Sequence, residues 1–400
     1  MISLSDIKNA QEKIKDHVHR TPLIYSNSFS TITGAEIYLK TENLQKTGSF
    51  KVRGAFNRLA GLREKVIAAS MGNHAQAVAF AASKLGLRAK VVMPMNAPIV
   101  KVEATRAYGA EVELYGENFR EALDLALSRS DYTFVHAFDD ERIIAGQGTI
   151  GLEIVTDIEG LDVVLVPVGG GGLISGVSLA VKNLAKNVSV IGVQTEAAPS
   201  AYLSMKENRI CEKAPESTIA DGIAIGKIGE KTFDIMKHHV DEIMTVKEES
   251  IALAILLFME RKKLVVEGAG AVALAALFEE SERFKGKKIV LIVSGGNIDF
   301  TLVDRIIHKG LIASGRVGFL EVTIDDAPAS MAAITGVISS ARGNIINIFQ
   351  DRFAEDLPIG KTRVVFILET KGKSHLEEIL SAMREKGFPV LMRHNPISKN

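Results

Sequence analysis

Short apolar runs rich in β-branched residues alternate with amphipathic helical segments along most of this chain, and no other feature constrains the fold as strongly. Between residues 65 and 138 the strand-like runs are KVIAAS, AKVVMP, EVELYG and YTFVHAF. The helical segments between them are AQAVAFAASKLG, APIVKVEATRAYG and FREALDLALSRS. Short buried strands separated by helices predict a parallel sheet with βαβ crossovers.

The same alternation resumes after residue 140. A helix at 143–158 precedes DVVLVPV, GGGGL, ISGVSLAVKNLA and VSVIGV, and later come SIALAILLFMERKKL, GAVALAALFEESERF and KKIVLIV. This second series predicts another sheet, so we expect two α/β lobes with helices on both faces of each sheet. We interpret residues 1–315 as one two-lobed domain, with a smaller lobe at about 45–145 inserted in the larger lobe.

The pattern changes after Gly315. The segments that follow are FLEVTID, APASMAAITGVISSARG, IINIFQDRF, TRVVFILET, SHLEEILSAMREKG and FPVLM. Their βαββαβ order predicts a separate small domain of ferredoxin-like form at residues 316–400. Ala313, Ser314 and Gly315 are small residues that suit a linker between the two domains.

Composition excludes several classes of protein. Lysine plus arginine and aspartate plus glutamate each number 48, and no basic cluster stands out, so we expect no nucleic-acid partner. Cys211 is the one cysteine, which excludes an internal disulfide framework and a cysteine metal cluster. The charged N-terminal segment lacks a signal peptide's apolar core, and no apolar run reaches the roughly 18 residues of a membrane span. We therefore expect a cytoplasmic protein without a membrane partner.

The segment KTGSFKVRGAFN carries the first candidate for chemistry, Lys51. A lysine that forms imines must be partly desolvated or near other cations, so that its pKa falls. Arg53 and Lys46 are the nearby cations that would supply such a field. A basic surface loop that binds nothing is the alternative for this segment taken alone.

Two further segments each lie between a predicted strand and a predicted helix. In SMGNHAQ, the backbone N–H groups at the helix start suit a carboxylate, with plain helix capping by Ser70 or Asn73 as the alternative. In GGGGL, at 169–173, four glycines let the backbone wrap an anion. Glycine costs roughly 1 kcal/mol relative to alanine in regular structure, so packing alone does not explain the run. A flexible turn is the alternative.

The fourth segment, SGGN, follows an apolar strand at the end where ligands sit in open α/β sheets. Ser294 could there hydrogen-bond a ring nitrogen, and an ordinary strand-to-helix turn is the alternative. The four segments together are much more specific than any one of them. An amine nucleophile, an anion site, a glycine cradle and a strand-end hydroxyl each suit a different part of pyridoxal phosphate bound to an amino acid.

With these four motifs, residues 1–315 resemble the threonine dehydratase family in the fold-type II group of pyridoxal-phosphate enzymes. The resemblance implies that Lys51 forms the Schiff base, that Phe50 lies against the cofactor ring, and that Ser294 meets the pyridine nitrogen. It places Asn73 at the cofactor hydroxyl and Gly222 near the other face of the ring. It assigns the phosphate to Gly169, Gly170, Gly171, Gly172 and Leu173. It assigns the substrate carboxylate to Ser70, Met71, Gly72, Asn73 and His74.

The reaction that the resemblance implies is the conversion of L-threonine to 2-oxobutanoate and ammonia, and of L-serine to pyruvate. Lys51 takes the α-proton, and a neutral serine at the ring nitrogen suits elimination, since an aspartate there would favour transamination. A serine dehydratase or serine racemase on the same scaffold is an alternative. From other classes, an amino-acid sensor with an idle site and a binding protein without cofactor also stay open.

Some positions depart from related proteins. Serine racemases resemble this chain but carry an acid/base serine where Met71 stands, and Met71 has no proton to exchange. Their divalent metal is bound at positions that align with Gln194, Ala198 and Ser200, so we expect no such metal here. A monovalent cation held by backbone carbonyls is left open.

The C-terminal domain, with DDAPASM after its first strand, resembles the ACT family, whose members often bind amino acids at subunit interfaces. This resemblance implies a regulatory domain and a homodimer or homotetramer. Isoleucine or valine is the effector we expect, for an enzyme that feeds isoleucine biosynthesis. Ala329 stands where the family commonly has glycine, and a domain that only assembles the oligomer is the alternative.

Overall fold

The computed structural model describes residues 2–393. The chain divides into two compact units, with the boundary between Asp299 and Phe300. None of the helices in residues 2–393 combines the length and apolar character needed to cross a membrane. Residues 394–400 of the predicted small domain lie outside the described residues.

The first unit contains a six-stranded sheet in the order β1-β2-β10-β7-β8-β9. Its strands are β1 (Leu23–Tyr25), β2 (Glu36–Thr41), β7 (Val163–Pro167), β8 (Ser189–Thr195), β9 (Glu242–Val246) and β10 (Lys288–Val293). β1 runs antiparallel to β2, and every other neighbouring pair is parallel. Strands β2, β10 and β7 are therefore parallel neighbours whose carboxyl ends lie at one edge of the sheet.

A second sheet in this unit has four parallel strands in the order β5-β4-β3-β6. They are β3 (Val66–Ala69), β4 (Ala89–Met93), β5 (Glu111–Leu114) and β6 (Thr133–Phe134). All four come after β2 and before β7 in the chain, so the smaller sheet interrupts the larger one. The predicted strand at 132–138 is longer than β6, because His136 Nδ1 accepts the N–H groups of Phe138 and Asp139 and turns the chain.

Thirteen α-helices pack on these two sheets within the described part of the first unit. They are α1 (Leu4–Ile14), α2 (Asn27–Thr33), α3 (Lys51–Leu59), α4 (Asn73–Lys84), α5 (Ile99–Ala107), α6 (Phe119–Ser128), α7 (Glu141–Asp157), α8 (Gly172–Leu184), α9 (Ser200–Lys206), α10 (Glu230–His239), α11 (Glu248–Leu257), α12 (Gly268–Glu279) and α13 (Ser281–Phe284). The predicted helix at 250–264 is too long, because α11 passes into a π-helical turn at Phe258–Lys262 that ends at Lys263, with φ 58°.

The second unit is an antiparallel sheet in the order β12-β13-β11-β14, with three helices. Its elements are α14 (Phe300–Ala313), β11 (Val317–Asp325), α15 (Pro328–Ser340), β12 (Asn344–Asp351), β13 (Lys361–Glu369), α16 (Lys373–Glu385) and β14 (Val390–Arg393). Leu320, Val322 and Phe366 alternate toward the helices and pack with Ile334 and Ile379. The predicted α/β architecture, followed by a βαββαβ unit, is confirmed. Helix α14 was not predicted, and it groups with the second unit.

Candidate active site

Three candidate segments follow three neighbouring parallel strands. Lys51 follows β2, Gly169 follows β7, and Ser294 follows β10 directly. Since the carboxyl ends of these strands lie at one edge, their loops meet there, where open α/β sheets bind ligands. Backbone contacts join the first segment to the segment that begins at Ser294. Among them, Ser49 and Gly295 form an isolated β-bridge, and the Phe50 N–H donates to Ser294 O at 3.1 Å.

Lys51 is the first residue of α3, and its amine lies in a partly buried position. The Nζ donates to the carbonyl oxygen of Ala137 at 3.0 Å and lies 5.2 Å from the centroid of the Phe50 ring. Burial lowers the pKa of the Lys51 amine to about 8, although the Glu267 carboxylate opposes this shift. A substantial fraction of the amine is therefore unprotonated near neutral pH, as an imine-forming nucleophile requires.

The prediction that Arg53 and Lys46 lower the pKa of Lys51 through their positive charge is wrong. Arg53 is fully buried and donates to Glu42 and Glu153, with N–O distances of 2.7–2.9 Å. Lys46 is exposed. Desolvation, and not a neighbouring positive charge, lowers the pKa of Lys51.

The loop Ser70–His74 leads from β3 into α4. The helix begins at Asn73 without any side-chain cap, so the plain capping interpretation of this segment is wrong. Ser70 Oγ instead accepts the N–H of Gly72 at 3.2 Å. The His74 ring is buried, and its Nε2 lies 2.9 Å from Val135 O. Burial lowers the pKa of His74 to about 3, so the ring is neutral, and this residue offers the loop its backbone N–H.

Asn73 connects the two lobes through its side-chain amide. Its Nδ2 donates to Glu267 Oε1 at 2.8 Å, and its Oδ1 accepts from Asn297 Nδ2 at 2.8 Å. Burial and the charge of Asp221 raise the pKa of Glu267 to about 7. Gly222 belongs to the same neighbourhood, since a Cβ placed on it would lie 3.7 Å from Glu267 Oε1.

The glycine run lies at the start of α8, whose first residue is Gly172. Gly171 has φ 96°, a left-handed conformation that suits glycine. The first N–H groups of a helix have no intrahelical partner, so this loop offers donors to an anion. The expectation that packing cannot account for the run is wrong: a Cβ on Gly170 or Gly172 would collide with Phe138, and one on Gly171 with Thr232.

The site has the donors that pyridoxal phosphate requires. Lys51 supplies a nucleophilic amine, and the start of α8 supplies N–H groups for a phosphate. The Ser294 side chain follows β10 directly, and within residues 2–393 its hydroxyl makes no hydrogen bond to another protein group, which leaves it free for a ring nitrogen. These residues therefore fit the cofactor.

The positions aligned with a divalent metal site have other partners. Gln194 Oε1 accepts the N–H groups of Ala201 and Tyr202 at 2.9 Å each. Ser200 Oγ donates to Ile225 O at 2.7 Å. Across residues 2–393, no three His, Cys, Asp or Glu side chains are grouped as metal ligands. The absence of a divalent metal stays a prediction.

Glu267 and the loop at 136–139 are site residues that the motif analysis missed. Glu267 directly precedes α12, whose residues are apolar up to its last one, Glu279, and a carboxylate at the start of such a helix is the signal that could have indicated it. Ala137 and Phe138 connect the segments, because Ala137 O accepts from Lys51 while the Phe138 ring packs against Gly170.

A nucleophilic amine beside an anion-binding helix start, at the carboxyl edge of a doubly wound sheet, defines an α/β enzyme with a phosphate-bearing cofactor. The sequence model of the pyridoxal-phosphate dependent enzyme family matches residues 14–295. An L-threonine ammonia-lyase of Thermotoga maritima is 49% identical over 398 residues, covering 98% of this chain and 99% of that protein. This chain belongs to the pyridoxal-phosphate dependent enzyme family.

Solved structures agree with this assignment. A T.th. threonine deaminase is 43% identical, with a TM-score of 0.71, and covers 74% of this chain and 99% of its own. A serine racemase from Dictyostelium discoideum is 37% identical, with a TM-score of 0.70, and also covers 74% of this chain and 99% of its own. The fold is thus shared by lyases and racemases.

Proposed function

We propose that this chain is a threonine ammonia-lyase, which converts L-threonine to 2-oxobutanoate and ammonia and also accepts L-serine. The observation that carries the proposal is the partly buried Lys51 amine at the meeting point of three strand ends. A relative that is similar over almost the whole chain is an L-threonine ammonia-lyase.

The residues that hold the cofactor are those that the motifs predict. The N–H groups of the glycine run would hold the phosphate, at Gly169, Gly170, Gly171, Gly172 and Leu173. Phe50 and Gly222 would hold the ring, and Asn73 would donate to its hydroxyl. When bound, pyridoxal phosphate supplies an electron sink conjugated to the substrate Cα.

Lys51 has two tasks. It would hold the cofactor covalently, and its amine, when free, would take the proton from the substrate Cα. A pKa of about 8 suits both tasks, because the amine is neither fully protonated nor strongly basic at neutral pH.

The remaining residues orient the substrate and favour elimination. The N–H groups of the loop Ser70–His74, including those of Met71 and Gly72, bind the substrate carboxylate at the start of α4. Ser294 is neutral, so it would hydrogen-bond the ring nitrogen without holding a proton on it. In the net reaction, the α-proton and the β-hydroxyl leave as one water, hydrolysis consumes one water, and the products are the 2-oxo acid and ammonia.

The test is 2-oxo acid formation from L-threonine and, in parallel, from L-serine, by purified protein with added pyridoxal phosphate. We expect 2-oxobutanoate from threonine, and no turnover from Lys51→Ala. Cofactor binding by the wild-type protein without oxo acid from either substrate would overturn the reaction, and retained turnover in Lys51→Ala would overturn the role of this lysine.

Racemisation of serine is the second candidate, since a serine racemase of similar fold is 37% identical. Met71 carries no exchangeable proton to deliver to the second face of Cα, so we expect little D-serine from L-serine. Chiral chromatography of the reaction mixture measures it. Rapid accumulation of D-serine would favour the racemase.

For the second unit we propose an amino-acid-binding regulatory function of the ACT type, at residues 316–400. The antiparallel order β12-β13-β11-β14 with the βαββαβ sequence supports it. Calorimetric titration of the full chain with isoleucine or valine should detect binding and a change in threonine turnover. No heat and no effect from either amino acid would contradict the proposal.

We also propose that the enzyme acts in the cytoplasm as a homodimer or homotetramer and supplies isoleucine biosynthesis. Light scattering of the purified protein measures its oligomeric state, and a monomer would contradict it. An amino-acid sensor with an idle catalytic site is the alternative from another class. The intact set of Lys51, Asn73, the glycine run and Ser294 argues against it, and threonine turnover would exclude it.

A further inference from the structure

The Asn73 amide is held at both ends by residues from elsewhere in the chain. Asn297 follows β10. Its Nδ2 carries two hydrogens and donates to Thr47 O and to Asn73 Oδ1, at 2.8 Å each. Glu267, directly before α12, accepts from Asn73 Nδ2 at 2.8 Å. The three side chains thus form a continuous chain of hydrogen bonds, which we call the amide relay: Asn297, Asn73 and Glu267.

The hydrogen bonds of the amide relay can run in only one donor-to-acceptor direction, from Asn297 through Asn73 to Glu267. A backbone carbonyl accepts and cannot donate, so Thr47 O fixes Nδ2 of Asn297 on its side. The second hydrogen of that Nδ2 then requires an acceptor, which must be Asn73 Oδ1. Asn73 consequently turns its NH2 group toward Glu267. The opposite orientation would set two NH2 groups against each other and an amide oxygen against a carboxylate.

Two motif glycines make room for the amide relay. A Cβ on Gly48, in the Lys51 segment, would overlap Asn297 Oδ1, and a Cβ on Gly295 would overlap Glu267 Oε1. Gly48 also has φ 72°. The backbone reinforces both ends, since the Gly296 N–H donates to Gly48 O and the Glu267 N–H to Gly295 O. The two segments are built around these side chains.

The charged groups around Glu267 are Lys51 on α3, Lys101 on α5 and Asp221 beside Gly222. Lys101 and Asp221 pair with each other at 2.7 Å. The Asn73 NH2 has two hydrogens, of which Glu267 takes one. The second hydrogen is a donor that an acceptor other than Glu267 can satisfy.

We propose that Asn297 and Glu267 are positioning residues that lock the Asn73 amide so that it presents only N–H to the cofactor hydroxyl. This inference rests on the proposed function, because it requires bound pyridoxal phosphate. A donor stabilises the ionised form of a hydroxyl more than the neutral form, because the hydrogen bond to the negatively charged oxygen is stronger. The amide relay therefore selects the cofactor with its hydroxyl oxygen negatively charged.

The test is the absorbance of the purified holoenzyme, because the lysine-bound cofactor absorbs in the visible range when its hydroxyl is ionised and in the near ultraviolet when it is not. Asn297→Ala removes the donor to Asn73 Oδ1, so that Glu267 alone restrains the Asn73 amide against rotation. We expect the visible band to weaken in favour of the near-ultraviolet band, and the Kd for pyridoxal phosphate to rise about tenfold. Asn43→Ala is the matched control, since Asn43 donates to Val265 O and lies outside the amide relay.

The Glu267 end gives an independent test. Glu267→Gln keeps an oxygen that accepts from Asn73, so its spectrum should match the wild type. Glu267→Leu removes the acceptor and should resemble Asn297→Ala. Asn297 and Glu267 lie on different elements. If one of the variants Asn297→Ala and Glu267→Leu fails to fold, the other still tests the inference.

Wild-type spectra and Kd in both Asn297→Ala and Glu267→Leu would overturn the inference, as would equal loss in Asn43→Ala. Failure of the proposed function has a different signature. In that case wild-type protein would bind the cofactor and form no 2-oxo acid, while the variants would still shift the absorbance.

Discussion

Arg53 and Glu42 form a two-pronged ion pair, in which Nη2 and Nε donate to the two carboxylate oxygens at 2.8 Å each. Glu153, on α7, accepts from the same guanidinium and from Lys40. All four side chains are buried. The network fixes α3, and thereby the position of Lys51 at its first residue, against β2 and α7.

Removing Arg53 should destabilise the enzyme strongly. Arg53→Met leaves Glu42 and Glu153 buried with Lys40 as their one remaining cation in the network, and an uncompensated buried charge costs about 3–5 kcal/mol. Urea unfolding of the cofactor-free protein measures this loss. Arg106→Met is the control: Arg106 pairs with Glu103 on the surface, and its loss should cost less than about 1 kcal/mol. Equal losses in the two variants would contradict a buried network.

The capture of pyridoxal phosphate by the cofactor-free protein should depend on pH through Lys51. Its pKa of about 8 means that the reactive amine fraction rises about tenfold per pH unit below 8 and is constant above it. The initial rate of the absorbance change between pH 6 and 10 measures this. A rate that climbs steadily to pH 10 would indicate an unperturbed lysine, and Lys51→Ala should give no change at any pH.

Glu267→Gln should stabilise the cofactor-free protein at neutral and alkaline pH. The folded-state pKa of Glu267, about 7, is above its ordinary value of 4.5. Stability from this group is therefore fully present below pH 4.5 and is lost as the pH rises to 7. Glutamine does not ionise, so the variant has no such loss. Its free energy of unfolding relative to that of the wild type should therefore increase by about 3 kcal/mol between pH 4.5 and 7.

The measurement is the free energy of unfolding at several pH values from 5 to 8. The difference between Glu267→Gln and the wild type should grow with pH and level off above 7. Glu282→Gln, at an exposed carboxylate, should show a constant difference. A pH-independent difference for Glu267→Gln would contradict the raised pKa.

Gly170→Ala should weaken both stability and cofactor binding. The new methyl group collides with the Phe138 ring, and overpacking of this kind costs about 1–3 kcal/mol. Because we propose that the same loop holds the phosphate, the Kd for pyridoxal phosphate should also rise. Gly336→Ala is the control, since nothing lies near its Cβ in α15, and alanine should stabilise that helix by about 0.5–1 kcal/mol. Equal effects would contradict the packing argument.

The sequence indicated the fold and the meeting of the motifs because both follow from local pattern. Lys51 and Ser294 come after apolar strands, and parallel strands bring their carboxyl ends together. The strand β1 lacks such a pattern and was missed, whereas α14 was not predicted although its sequence is amphipathic. The strand β1 has three residues, too few to show a period.

The sequence could not indicate the partners of buried charges. Arg53 looked like a source of positive field for Lys51, yet its carboxylate partners, Glu42 and Glu153, are 11 and 100 residues away. Glu267 lies 194 residues from Asn73. Pairings at such separations depend on tertiary structure and leave no periodic signal.

The strand order has a consequence for synthesis on the ribosome. β10 is the last strand of the six-stranded sheet to be made, yet it lies between β2 and β7. Until Lys288–Val293 has left the exit tunnel, β2 and β7 cannot be joined through β10. The loops that carry Lys51 and Gly169 are therefore not yet held together, and Ser294 has not yet emerged. Pairings between residues so distant in sequence form slowly. A ligand stabilises only the state that binds it, so the cofactor can act on this protein only after both lobes are complete.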